Sequence, residues 1–176
     1  CGAVLLGRLS DIVDYLLYID KKTGLPNREK LNIYIGEMAG KVLPEAFTCF
    51  TLNLDNLSEL TKRFGYTVGD GVLKDFAGLV QLMGDTEGMR GYNGIGRFVV
   101  FFEECSSKKA AAMIRILDNQ VEEYNSLNPE YPIRYTAAWA TTEETDTYEI
   151  RELLRLSQKK WKQMEKEKKD KTEEGT

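Results

Sequence analysis

The chain has 176 residues, of which 42% are hydrophobic, 10% aromatic and 30% charged, and its formal net charge is −4. That length suits one domain with a short appendage, the apolar fraction builds a core rather than a disordered tail, and the acidic balance argues against a broadly basic face for nucleic acid. No histidine occurs, which excludes Ser–His and Cys–His pairs, His-ligated zinc and a histidine general base, so any chemistry must run on carboxylates, lysine or bound metal.

In residues 1–19, Leu5, Leu9, Ile12, Leu16 and Ile19 are spaced four and three apart, the a/d spacing of a coiled coil. Arg8, Asp11 and Asp14 interrupt the apolar run, so it neither spans a bilayer nor reads as a signal peptide. Two readings stay open: a helix packed on its own domain, or the end of a parallel two-helix stalk. Residues 20–28 are dense in turn formers, and Asn27 or Thr23 is placed to cap the helix expected over 29–43. A buried strand is expected over 46–54, a short helix on Leu57, Leu60 and Phe64 ended by Gly65, and a longer helix over 68–83.

Residues 89–93 and 98–103 read as two strands joined by the turn Gly94-Ile95-Gly96-Arg97. A helix over 106–124, a strand over 133–141 and a helix from 148 to about 169 complete the chain, the last with Ile150, Leu153, Leu154, Leu156, Trp161 and Met164 inward. Its mixed-sign end reads as a solvated helix face. The order of elements predicts an α/β sandwich of ferredoxin-like, cyclase-palm type: mainly antiparallel strands flanked by helices. Cys1, Cys49 and Cys105 are too scattered for a disulfide framework or a metal knuckle, as in a reducing compartment. The opening Cys1 in place of Met reads as a piece of something longer.

Three segments resemble the GGDEF family, the diguanylate cyclase domain of bacterial second-messenger signalling. Asp20-Lys21-Lys22-Thr23-Gly24-Leu25-Pro26-Asn27-Arg28 is similar to the family's opening Asp-x-Leu-Thr-Gly-Leu-Pro-Asn-Arg, with Lys22 where Leu is usual. Asn53-Leu54-Asp55-Asn56-Leu57 through Gly65-Tyr66-Thr67-Val68-Gly69-Asp70 resembles Asp-x-Asp-x-Phe through Gly-His-x-x-Gly-Asp. Gly94-Ile95-Gly96-Arg97-Phe98 stands where Gly-Gly-Asp-Glu-Phe belongs. The resemblance divides the chain into an N-terminal signalling-type helix, 1–19, and a degenerate GGDEF domain, 20–172.

The resemblance implies two protomers, each bringing a GTP, and two metal ions that activate a ribose hydroxyl against the partner's α-phosphate. The family's metal carboxylates fall here on Asn53 and Gly96, and its glutamate beside the reacting groups falls on Arg97. An amide oxygen, a bare backbone and a permanent cation are poor substitutes for anionic oxygen ligands. Neither a metal ligand nor a catalytic residue is therefore expected at Asn53, Gly96 or Arg97, and Mg²⁺ only if cyclase activity survives.

The remaining nucleotide-binding candidates are the turn at Leu57 and Ser58, the guanine-side pair Thr61 and Asp70, Arg97, and Lys168, one turn beyond Met164 where the family's phosphate lysine falls. Asp70 accepts from a guanine edge or caps a helix after Gly69. The family's inhibitory product site, Arg-x-x-Asp, falls on Asp85 and Gly88 and is missing. The function this implies is a signalling domain without cyclase activity, working as a regulatory or dimerisation module between an upstream sensor and a downstream effector. The alternatives are a GTP sensor without turnover and, last, an active cyclase making cyclic di-GMP through replacement ligands such as Asp55 with Glu103 or Glu104. The expected partners are GTP and, in the full-length protein, a second copy through the N-terminal helix, with no nucleic acid and no membrane contact by this fragment. The expected location is the cytoplasm, as a cytoplasmic part of a longer, membrane-anchored bacterial protein.

Overall fold

A computed structural model describes residues 2–84 and 87–174. The helices are α1 (Gly2–Tyr18), α2 (Arg28–Met38), α3 (Leu57–Phe64), α4 (Tyr66–Gln81), α5 (Ser107–Leu127), α6 (Thr142–Thr145) and α7 (Ile150–Glu174). The strands are β1 (Thr48–Leu54), β2 (Gly88–Tyr92), β3 (Arg97–Phe102) and β4 (Tyr135–Thr141), in one antiparallel sheet of order β2-β3-β1-β4.

Successive strand residues point to opposite faces, and the sheet is apolar on both. Phe50, Leu52, Leu54, Phe98, Val100 and Phe102 meet Val72, Leu73 and Phe76 of α4 and Ala110, Met113 and Leu117 of α5. On the other face Cys49, Val99, Phe101 and Ala140 meet Leu31 of α2 and Ile150 and Leu153 of α7. The sheet is thus sandwiched between helices, as the order of elements predicts.

The boundaries shift for local reasons. Asn27 caps α2, its side chain accepting from Lys30 N–H, but the helix stops at Met38 because Ala39 is extended and Gly40 has φ +79°. Leu43 is instead buried in the second core, its N–H on the Tyr148 carbonyl. Gly65, at φ +91°, ends α3 and starts α4 together, so α4 begins at Tyr66 rather than 68. The unanticipated α6 forms because Thr141 Oγ1 accepts from Glu144 N–H. Glu149 accepts from Glu152 N–H at 2.9 Å in the first turn of α7, and that helix runs on past 169.

Three side-chain expectations are corrected. Met164 is exposed, because the inward row of α7 steps from Ser157 to Trp161 and leaves Met164 beside it. Asp70 caps nothing: it lies inside α4 and pairs with Lys22 Nζ at 3.2 Å. Arg97 belongs to β3 rather than to the turn before it.

The helix α1 does not pack on its own domain: none of its residues is buried, and Leu5, Leu9, Ile12 and Leu16 are all more than half exposed. Its end is nonetheless fastened to the domain. Asn27 Nδ2 donates to the Leu17 carbonyl at 2.8 Å, Asn27 N–H donates to the Tyr18 carbonyl at 2.8 Å, and Ile19 bridges Pro26. Among the described residues no helix is long and apolar enough to cross a membrane.

Candidate functional site

The sheet register assembles one row of side chains. Asn53 of β1 lies opposite Arg97 of β3 and Thr136 of β4, and directly opposed residues of an antiparallel ladder share a face. It is the face that α7 covers. Along α7, Leu153, Ser157 and Trp161 are buried and Lys168 follows two turns later, a helical stripe that descends the strands from the core to the row. Ser157 is hydrogen-bonded to Thr51, which anchors the helix just above it.

Asp55, two residues beyond Asn53, is surrounded by donors. Asn53 Nδ2 donates to its Oδ1 at 2.8 Å and Thr136 Oγ1 to its Oδ2 at 2.6 Å, while Lys168 Nζ stands 3.8 Å away. Lys168 Nζ also donates to Thr136 Oγ1 at 2.7 Å and to the Tyr135 carbonyl at 3.0 Å. One carboxylate thereby has an amide, a hydroxyl and an ammonium of the same chain around it. The Arg97 guanidinium lies 5.0 Å from the centre of the Trp161 ring, a cation–π contact.

Beside this row opens a cleft of about 440 Å³ lined by the end of β1, by α3, by the β2–β3 turn and by α7. It brings together Asn53, Leu57, Ser58, Thr61 and Arg97 among the candidates that the sequence singles out. Asp70 is not among its lining residues and is held by Lys22. Lys168 lies in an adjoining depression shared with Asp55, Thr136 and Glu165. Asp85 lies outside the described residues. Asn56, which opens α3, makes no side-chain cap; its amide donates to the Pro132 carbonyl at 2.7 Å and its oxygen accepts from Arg134 N–H at 3.1 Å. The first turn of α3, with Leu57 and Ser58, thus borders the cleft without a side-chain cap. Thr61 packs against Gly69, where a Cβ would collide with its Oγ1.

The residues do not suit a hard divalent cation, which requires several anionic oxygens. Among the described residues no three acidic or cysteine side chains are grouped to hold a metal. Gly96 has φ +75°, its N–H donates to Tyr92 Oη at 3.0 Å, and a Cβ there would meet the Leu54 carbonyl oxygen at 3.1 Å. A carboxylate at that position therefore needs the turn to shift. The sequence does not single out Trp161, Thr136 or Tyr66 as site residues. The pairing of β1 with β4 brings in Thr136, and Trp161 reads as one more core residue of an amphipathic helix, which its burial bears out.

An antiparallel four-stranded sheet between helix layers, with a cleft at the end of its central strand beside the β2–β3 turn, defines a cyclase-palm domain. The sequence matches the family described as "Diguanylate cyclase, GGDEF domain" over residues 17–171, and the chain belongs to that family. No curated protein matches it in sequence.

Among solved structures it is similar to a diguanylate cyclase/phosphodiesterase from Caldicellulosiruptor saccharolyticus, at 19% identity and a TM-score of 0.66, over 86% of this chain and 91% of that one. The coiled coil and GGDEF domain of DgcB from Caulobacter crescentus, in complex with c-di-GMP, is 16% identical with a TM-score of 0.60, over 79% and 78%. The Vibrio cholerae LapD S helix-GGDEF-EAL protein, bound to c-di-GMP, is 13% identical with a TM-score of 0.63 over 78% of this chain. The present chain covers 32% of that protein's chain. At these identities the likeness is one of fold.

Proposed function

We propose that this GGDEF domain has lost metal-dependent cyclisation of GTP and works as a regulatory module, paired with a second copy through α1. The observation that carries the first half is the row Thr136, Asn53, Arg97 with Asp55 beside it. Where the family's chemistry needs clustered carboxylates, this chain supplies an amide, a hydroxyl and two cations, and Asp55 already has hydrogen-bonding partners. The second half rests on an apolar α1 with no buried residue, joined by Asn27 to the first turn of the domain. A change in how two α1 helices pair is thereby delivered to α2. The Caulobacter structure, of a coiled coil and GGDEF domain, supports that arrangement by likeness. Upstream and downstream domains, and a cytoplasmic setting, belong to the same reading.

The test is a Mn²⁺ titration followed by electron paramagnetic resonance, with and without GTP. The expected result is no saturable ion at micromolar concentration, and a stoichiometric tight site refutes the first half.

A second reading, a nucleotide sensor without turnover, is favoured by one observation. Arg97 and the first turn of α3 border the same cleft, so a guanidinium and helix N–H groups stand where phosphate could be met without metal. Calorimetry with GTP in EDTA and in Mg²⁺ separates the readings. Equal binding in both conditions supports the sensor, and no binding at millimolar GTP removes it.

A further inference from the structure

The charges of the cleft are unevenly matched. Its two carboxylates each have a cation close by: Asp55 has Lys168 at 3.8 Å and Glu165 has Lys169 at 3.3 Å. Its two cations, Lys62 and Arg97, form no ion pair with any carboxylate among the described residues, and Arg97 lies instead on the Trp161 ring. The unmatched charge facing the cleft is therefore positive, although the chain as a whole is acidic.

The lips of the cleft are apolar and stand out into solvent. Tyr66, the first residue of α4, is 75% exposed, and Ile95, at the tip of the β2–β3 turn, is 83% exposed. Ile95 has φ +55°, a conformation in which a β-branched side chain is strained and which glycine or asparagine adopts at less cost. The turn thus holds an isoleucine outward, at a conformational cost, beside an unmatched arginine. Strained residues of this kind concentrate at binding and switch sites.

A guanine nucleotide uses these features poorly. Of the guanine-side pair, Asp70 is engaged by Lys22 away from the cleft and Thr61 packs on Gly69. The exposed Ile95 and Tyr66 would add apolar contact to a larger occupant.

We infer that the cleft is a docking site for an acidic protein segment that places an apolar side chain between Ile95 and Tyr66 and its carboxylates on Arg97 and Lys62. The inference rests on the reading that the cleft no longer turns over GTP, and it names the kind of partner the regulatory module takes. Arginine recognises carboxylate in a bidentate manner, and apolar anchors set among charged contacts are the usual make-up of such interfaces.

The experiment is a selection of random 12-residue peptides displayed on phage against the full chain, followed by fluorescence anisotropy of synthetic copies of the recovered sequences. Recovered peptides are expected to carry net negative charge and a bulky apolar residue, and to weaken as salt rises. They should bind Ile95→Gly and Arg97→Glu at least tenfold more weakly than the parent. Ile95→Gly relieves the backbone strain and so keeps the fold, which leaves loss of binding as its readout. A pool without acidic bias, a pool that binds Ile95→Gly as well as the parent, or displacement of the peptides by micromolar GTP overturns the inference. GTP turnover is followed on the same preparation. Product formed while acidic peptides still bind refutes the reading of lost chemistry alone, and an unbiased pool with no product refutes docking alone.

Discussion

Returning one family carboxylate by Asn53→Asp should weaken the domain. The Asn53 amide donates to Asp55 Oδ1 at 2.8 Å, so the substitution removes a donor and sets a second carboxylate in its place. A hydrogen bond to a charged group contributes about 1.5–3 kcal/mol, and solvent at this half-exposed position reduces the loss to about 1 kcal/mol. Two like charges about 4 Å apart add about 1 kcal/mol in water and up to about 4 kcal/mol near a protein surface, and the side chains will rotate apart to escape most of it. The net cost is about 2 kcal/mol, which in a domain of this size lowers Tm by about 4–8 °C. Differential scanning calorimetry of variant and parent at pH 7 measures it. An unchanged Tm refutes the view of Asn53 as a neutral donor to Asp55.

Trp161→Ala should destabilise the domain by about 3–5 kcal/mol, the usual range for a buried aromatic, as read from urea midpoints; a loss below about 1 kcal/mol would show that α7 does not need that anchor. Leu9→Asp and Leu16→Asp should abolish self-association in sedimentation runs while leaving Tm unchanged, because both side chains are more than half exposed within one chain. A tight dimer that survives them places the interface elsewhere. Burial pushes the Cys49 thiol up to about 12, and burial, then the Glu103 charge, pushes Tyr34 up to about 12. Both are neutral in the folded state, so their contribution is complete below about pH 8.5 and is lost as pH rises toward 12. Denaturant midpoints should therefore fall steadily above pH 9, and Cys49 should resist thiol reagents in the native protein at pH 8.

Where local chemistry decides an element, the sequence announces it. Asn27 as a cap, Gly65 as a stop and the apolar runs of β1 and β3 are readable because each acts through its own backbone. Arg97 could also be placed near Asn53 and Leu57, since a recognisable motif carries its fold with it. What could not be read depends on tertiary register. Thr136 joins Asp55 only through the pairing of β1 with β4. Trp161 meets Arg97 only because α7 crosses that one sheet face. Asp70 lies inside α4 rather than at its cap, and Lys22, distant in sequence, pairs with its carboxylate. The short helix α6 has no sequence signal beyond the single threonine hydroxyl that starts it.

The central claim is that the substitutions at Asn53, Gly96 and Arg97 end metal-dependent chemistry. It is tested most directly by incubating the purified chain with GTP and either Mg²⁺ or Mn²⁺, then resolving the nucleotides by chromatography. The predicted result is GTP unchanged against a buffer blank, with no cyclic di-GMP. Formation of cyclic di-GMP that EDTA abolishes would contradict the account.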